Sequence, residues 1–393
     1  MTRPQSDPLP EIAAGIGAFV ALRQDLHRHP ELSRQEFRTA GIVAGLLRGW
    51  GYEVTEGVGG TGVVATLKAG KGARALGLRA DMDALPIAEA TGLPYASVAA
   101  GVMHACGHDG HTAILLAAAE YLARTRRFDG RLVLIFQPAE EIGHGAQAML
   151  RDGLFDRFAV DAVFGLHNWP GLPAGQWGIL PGPVMAGIDQ VLLTVQGRGG
   201  HGAAPHETVD PVVTAAHAIA ALQTVVSRNV DPQEAAVVTV GAIHGGEASN
   251  VIPDTVEARL TLRYFSAATQ AVLETRVPAL LRGVIEAFGA GADLTYARGF
   301  PPVINHVAEA ALARRVVEEG FGPAALIEGF RPRTASEDFA YFLQERPGAF
   351  LILGAGEGAP LHSPCYRFND DILAPAAALW VRLAEAFLTG DAQ

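Results

Sequence analysis

Between Gly62 and Leu166 the chain alternates short apolar runs of strand length with one long run rich in alanine and leucine, which restricts the fold more than its bulk composition does. The strand-like runs are Gly62 to Leu67, Ala75 to Leu78, Leu132 to Phe136 and Ala162 to Leu166, and the helix-like run, Thr112 to Leu122, lies between the second and third. That alternation predicts an α/β domain with a mainly parallel sheet. Ahead of it, the apolar spacing of Ile12 to Leu26 predicts an amphipathic helix ended at His29-Pro30, and a second helix spans Glu36 to Trp50, stopped by Gly51. Conspicuous polar residues follow the strand runs: Asp81 and Asp83 after the second, Glu140 and Glu141 after the third, His167 after the fourth. In open α/β sheets ligands gather beyond the carboxyl ends of strands, so these segments are expected to converge on one crevice.

Around Leu180 to Gly187 the sequence turns to glycine and proline (LPGPVMAG) and the pattern changes. Beyond it come a strand at Gln190 to Val195, a helix at Asp210 to Val226, strands at Ala236 to Ile243 and Thr255 to Tyr264, a helix at Ala268 to Phe288 and a strand near Leu294. This order predicts an inserted α+β, ferredoxin-like domain, an antiparallel sheet with helices on one face. After Arg298 helices and strands resume, including a buried strand at Ala349 to Leu353. The expected division is therefore a discontinuous catalytic domain, 1–185 and 299–393, interrupted by an insert at 186–298. A length of 393 residues suits two domains.

The net charge of −11 and the lack of a lysine- or arginine-rich block argue against a nucleic-acid partner, because phosphate binding needs clustered positive charge. The first 24 residues carry acidic residues and prolines before only a short apolar stretch, which reads as neither a signal peptide nor a membrane span and suggests the cytoplasm. Two cysteines, Cys106 and Cys365, exclude a disulfide framework. A cysteine beside histidines in a reducing compartment more often serves a metal or catalysis.

The densest chemical signal is Met103-His104-Ala105-Cys106-Gly107-His108-Asp109-Gly110-His111. Thiolate and imidazole together suit zinc or another transition metal, whereas magnesium and calcium prefer oxygen. Any one of these histidines alone would read as an ordinary helix-start residue. Glu140 and Glu141 follow a buried strand, where two adjacent carboxylates are costly without a cation; one can bind metal while the other moves protons. His167 and His362 (in LHSP) draw their weight from position after strands. Asp81, Asp83 and Asp109 are placed to orient a ligand histidine or to cap a helix. His201 sits in glycine-rich backbone that can approach a ligand closely, and Arg263 lies on the polar face of its strand, as a carboxylate fork or a surface ion pair.

Taken together, RADMDALP, MHACGHDGH, IFQPAEE, GLHNWP, GRGGHGAAPH, SNVIPD, SEDF and LHSPCYRFND resemble the M20 metallopeptidase family, with the best match to its amidohydrolase subgroup of hippurate and auxin-conjugate hydrolases. The motifs run in order from about His27 to Asp371. The resemblance implies two divalent ions (manganese, zinc, cobalt or nickel) held by Cys106, His108, Glu141, His167 and His362, with Cys106 bridging. It implies Glu140 as general acid/base, Asn250 and Arg263 on the substrate carboxylate, and His201 reaching a partner subunit's site. The insert would then be a lid that also dimerises, in a homodimer or homotetramer. The broader family has a histidine where Asp81 stands and a bridging aspartate where Cys106 stands; both departures are typical of the subgroup. Ile142 and His144 depart from its usual small residues, which leaves His144 as a substrate contact or a surface residue.

These readings imply metal-dependent hydrolysis of N-acyl amino acids. A metal pair would acidify water and polarise the amide carbonyl; Glu140 would take a proton from water and return it to the leaving amine, Asp83 would orient a ligand, and His201 would stabilise the oxyanion. Three alternatives compete: a dipeptidase or aminopeptidase using the same metals, a cysteine hydrolase using Cys106, and a binding protein that keeps the fold without catalysis.

Overall fold

The computed structural model describes residues 7–389, so the first six residues of the N-terminal stretch read above lie outside the described part. Contacts divide the chain into two units. The first is the chain up to Val184, Ile304–Arg331 and Asp338 onward; the second is Met185–Val303 with Pro332–Glu337. The second unit thus reaches past the expected end at 298 and takes in a short later segment. Backbone pairing explains the addition, since the Ala186 amide donates to the carbonyls of Arg333 (3.0 Å) and Ala335 (2.9 Å). Nothing periodic marks residues 332–337 in the sequence.

The first unit is built on a seven-stranded sheet in the order Glu53–Val58, Gly62–Ala69, Gly130–Gln137, Ala75–Asp81, Ala162–Trp169, Gly348–Gly354, Trp177–Gly178. The four strands from Gly130–Gln137 to Gly348–Gly354 pair in parallel, and antiparallel strands flank them on both sides. Every residue of Ala75–Asp81 and Gly348–Gly354 is buried, as expected of parallel strands covered on both faces. Helices Leu9–Arg28, His108–Thr125 and Leu373–Thr389 pack on one another within the core of this unit. Leu373–Thr389 lies in the one stretch, among the described residues, long and apolar enough to cross a membrane; its residues from Leu373 to Leu388 are mostly buried in that core.

In the second unit the strands order as Ala236–His244, Thr255–Tyr264, Gly187–Gln196, Gly291–Arg298, all antiparallel, the arrangement of a ferredoxin-like sandwich. Alternation along Thr255–Tyr264 buries Val256, Ala258, Leu260 and Leu262 against Leu222, Val225, Leu273, Val277 and Leu281 of helices Pro211–Asn229 and Ala267–Ala287. Asp210 accepts from the Val212 and Val213 amides, and Ser266 from that of Thr269, so each helix opens on a side-chain cap.

Candidate metal centre

The ends of three inner strands deliver the polar residues to one place. Asp81 is the last residue of its strand, Glu140 and Glu141 lie just beyond Gln137, and His167 is still within Ala162–Trp169. The helix predicted from Thr112 begins four residues earlier, at His108, so His108 and His111 share its first turn. Gly107 precedes it at φ 98°, and a Cβ there would lie 2.2 Å from Asn168 Oδ1; only glycine allows this approach. His362 adopts φ 63° and is tied by its amide to the Ala105 carbonyl (2.8 Å), which brings the LHSP loop beside the cysteine loop.

All five expected ligands come together. Donor atoms of Cys106, His108 and His167 lie within 4.8 Å of one another, as do those of Cys106, Glu141 and His362, so two triads share the thiol. His108, Glu140 and Glu141 form a third such group. The histidines are oriented for the task. His108 Nδ1 donates to the Asp83 carbonyl (3.0 Å) and lies 3.2 Å from Asp83 Oδ1, which turns Nε2 toward the cluster. His167 Nδ1 donates to the Asn168 carbonyl (2.7 Å), and its Nε2 stands 3.3 Å from Cys106 Sγ. His362 Nε2 is 3.4 Å from Glu141 Oε2.

Two atoms test whether a cation fits. His108 Nε2 and Glu141 Oε1 are buried without a hydrogen-bond partner, facing one another across 3.8 Å. Such orphaned groups are costly unless a ligand satisfies them. Burial also pushes the Cys106 thiol well up, and Glu141, Glu140 and Asp81 push it further, so a thiolate here needs a compensating positive charge. Burial pulls the His108 imidazole down, but Asp81, Asp83 and Glu141 outweigh it and lift it to about 10. Burial holds His167 well below its ordinary value, in the neutral form that ligates metal. Burial raises Glu141 to about 7 despite the His108 charge. The donor set fits two transition-metal cations. It disfavours a cysteine nucleophile, which needs surroundings that depress its pKa.

Residues given no role from the sequence, Ser33, Arg79 and Tyr366 among them, join the expected aspartates around the donors. Asp83 Oδ2 accepts from Ser33 Oγ (2.7 Å) and from the Glu141 amide (3.0 Å), so one carboxylate holds both the His108 imidazole and the Glu141 backbone. Beneath the histidines, Arg79 donates to Asp81 (2.6 Å), His111 Nδ1 donates to Asp81 Oδ1 (2.7 Å), and Asn168 Nδ2 donates to Tyr366 Oη (2.6 Å). Asp109, by contrast, faces away into a bond with His27 Nδ1 (3.0 Å) and an ion pair with Arg23 (3.2 Å). Of the three aspartates expected to orient a ligand, Asp83 is the one bonded to an expected ligand imidazole, that of His108.

His201, Asn250 and Arg263 belong to the second unit. His201 pairs with Val251, and the Ala203 amide donates to its Nδ1 (3.0 Å), which leaves the proton on Nε2 of an exposed ring. Asn250, also exposed, accepts from the Gly202 amide through its carbonyl (2.8 Å). Arg263 is half-buried and donates to Ser336 Oγ (2.6 Å), with no carboxylate at ion-pair distance among the described residues. His144 is exposed at the start of the helix Gly145–Arg151.

Residues 77–386 match peptidase family M20/M25/M40. The chain is 43% identical over 380 residues to a hippurate hydrolase of Campylobacter jejuni, covering 97% of this chain and 99% of that one. It is 39% identical over 378 residues to an N-acetyl-L-cysteine deacetylase of Bacillus subtilis, covering 95% and 89%. A crystal structure from Bacillus subtilis, described as a dinuclear metal binding peptidase from the M20 family, superimposes with a TM-score of 0.83 at 32% identity, covering 96% of this chain and 99% of that one. With the family matched across most of the sequence and the fold shared end to end, the chain belongs to peptidase family M20/M25/M40.

Proposed function

We propose that this protein is a metal-dependent amidohydrolase that cleaves the amide bond of N-acyl or N-aroyl amino acids, releasing a carboxylic acid and the free amino acid. The observation that carries the reading is the pair of donor triads sharing Cys106, with the Glu140 carboxylate at their edge. In this reading Cys106, His108 and His167 hold one cation, and Cys106, Glu141 and His362 hold the other. Manganese, zinc, cobalt and nickel all suit thiolate and imidazole donors. When bound, the cations polarise the scissile carbonyl and make a water molecule more acidic.

Glu140 accepts the proton of the attacking water and delivers it to the amide nitrogen as the C–N bond breaks, so acid and amine leave with protons balanced. Asp83 fixes the His108 tautomer and the Glu141 backbone together. The substrate's carboxylate is assigned to Arg263 and Asn250; the half-buried, carboxylate-free guanidinium of Arg263 supports this. His201 is assigned to the developing oxyanion, which suits the proton on its Nε2. The ferredoxin-like unit is assigned as a lid and dimerisation domain, in a homodimer or homotetramer in which His201 serves the partner subunit's site.

The test is hydrolysis of hippurate, N-acetyl amino acids, an indoleacetyl amino acid and dipeptides by apo protein and by protein given each metal. Metal-restored release of amino acid from the acylated substrates is expected. Equal activity without metal would sink the reading, and preference for dipeptides would convert it to a peptidase.

A further inference from the structure

The catalytic carboxylate assigned above stands on an unusual piece of backbone. Ala139, directly before Glu140, is held at φ 54°, a left-handed conformation that costs a residue with a Cβ of order 1 kcal/mol or more and persists only when its surroundings enforce it. Two carboxylates from separate segments enforce it from either side. Glu36 Oε1 accepts from the Ala139 amide at 2.8 Å, and Asp83 Oδ2 accepts from the Glu141 amide at 3.0 Å. Glu140 is thus bracketed, its two neighbouring amides each fixed to a side-chain carboxyl oxygen. The Ala139 carbonyl in turn accepts from the amides of His144 (3.3 Å) and Gly145 (3.1 Å), which curls the loop back on itself. Gly145 has no alternative, because a Cβ there would meet the Pro138 carbonyl oxygen at 1.6 Å.

Glu36 is wholly buried, yet it belongs to neither donor triad. Its second oxygen accepts from Thr61 Oγ1, itself buried, so both oxygens are spoken for and the carboxylate cannot swing away. A buried acid that carries no ligand and pairs with no cation among the described residues is expensive to keep. Its bonds to Thr61 and to the strained Ala139 amide offset that cost.

We propose that Glu36, locked by Thr61, is a positioning residue that holds Ala139 in its left-handed turn and so sets where the Glu140 carboxylate stands over the site. This rests on the role given to Glu140 above. Displacing that carboxylate by about an ångström is expected to slow the proton transfers about 100-fold while leaving ground-state binding in place.

The experiment compares E36A, E36Q and T61V with wild type, reading kcat, KM, metal content, thermal midpoint and residue-resolved hydrogen exchange of the Ala139 amide. E36A is expected to lower kcat about 100-fold with KM within about twofold and metal content unchanged, and to speed exchange at Ala139. E36Q keeps an acceptor for Ala139 and a donor for Thr61, so it is expected to retain kcat within about threefold. Wild-type kcat in a folded E36A, or a loss of kcat that follows loss of metal, overturns the proposal. Should E36A not fold, T61V decides: a fall in kcat of about threefold or more at unchanged KM and metal content supports it, and an unchanged kcat overturns it. Protection of the Ala139 amide is read without any substrate, so an inactive wild type would count against the amidohydrolase reading while the Glu36 contact is still judged by exchange.

Discussion

At the scale of single residues the centre works by placing opposed demands on adjacent groups. Glu140 and Glu141 are neighbours in sequence, yet Glu141 joins the triad with Cys106 and His362 while Glu140 lies with His108 at the edge. Backbone geometry fixes each in place, with the left-handed Ala139 on one side and the Asp83 bond to the Glu141 amide on the other. The E140Q substitution keeps size and hydrogen-bonding shape but removes the proton acceptor. It is expected to cut turnover by about 1,000-fold or more with full metal content, read by steady-state kinetics beside elemental analysis. Near-normal turnover would remove Glu140 from its role. The pair was legible in the sequence because two adjacent acids after a buried strand demand an explanation. Glu36 and Ser33 were not, since their part depends on a loop far away in the chain folding back onto residues 83 and 139.

At the scale of elements, the helix Leu373–Thr389 shows how a buried element carries a titratable cost. Glu385 on this helix is 2% exposed, with one carboxylate oxygen unpartnered. Burial raises it from the ordinary 4.5 to about 7, against the pull of Arg127 and Arg382. A carboxyl whose folded pKa is raised binds its proton more tightly in the native state. Native stability from this group is therefore fully present below about pH 4.5, is lost as pH rises through about 7, and amounts to a change on the order of 3 kcal/mol. E385Q, neutral throughout, is expected to match wild type at about pH 4 and to melt higher at about pH 8; coincident melting curves at the higher pH would refute the shift. Helix and strand positions were largely legible here, because 3.6- and two-residue periods are local. Their ends were less so: the strand run predicted to end at Leu78 continues to Asp81, and the helix predicted from Thr112 starts at His108, since polar residues at both ends are paid for by contacts the sequence does not display.

At the scale of the whole molecule, the two units divide the labour in the proposed function. All five proposed ligands lie in the first unit, so metal should stabilise that unit specifically. Removing metal leaves the donor atoms of Cys106, Glu141 and His362 gathered around a space no cation fills. Chelation is expected to lower the melting temperature of the transition belonging to that unit, and restoring a cation to 1,000 times its Kd should return about 4 kcal/mol. An unchanged melting profile would argue against a preformed metal site. The assignment of His201 to a partner subunit makes a separate prediction. Mixing inactive E140Q with inactive H201A, under conditions that exchange subunits, should restore about a quarter of wild-type activity, because a random dimer mixture then contains one intact site in four. No recovery after demonstrated exchange would place His201 in its own subunit's chemistry or outside the chemistry.

The sequence by itself determined the alternation that gives the parallel core, the inserted sandwich, and the set of residues able to bind transition metals, because periodicity and donor chemistry are carried by residue type and near spacing. Only the tertiary structure decided which donor atoms lie within reach of one another, which imidazole nitrogen faces the cluster, and how Glu140 and Glu141 are each fixed. Those outcomes depend on the meeting of segments near residues 33–36, 81–83, 104–111, 137–145, 167 and 362, and on the burial that turns each charge there into a strong constraint on its neighbours.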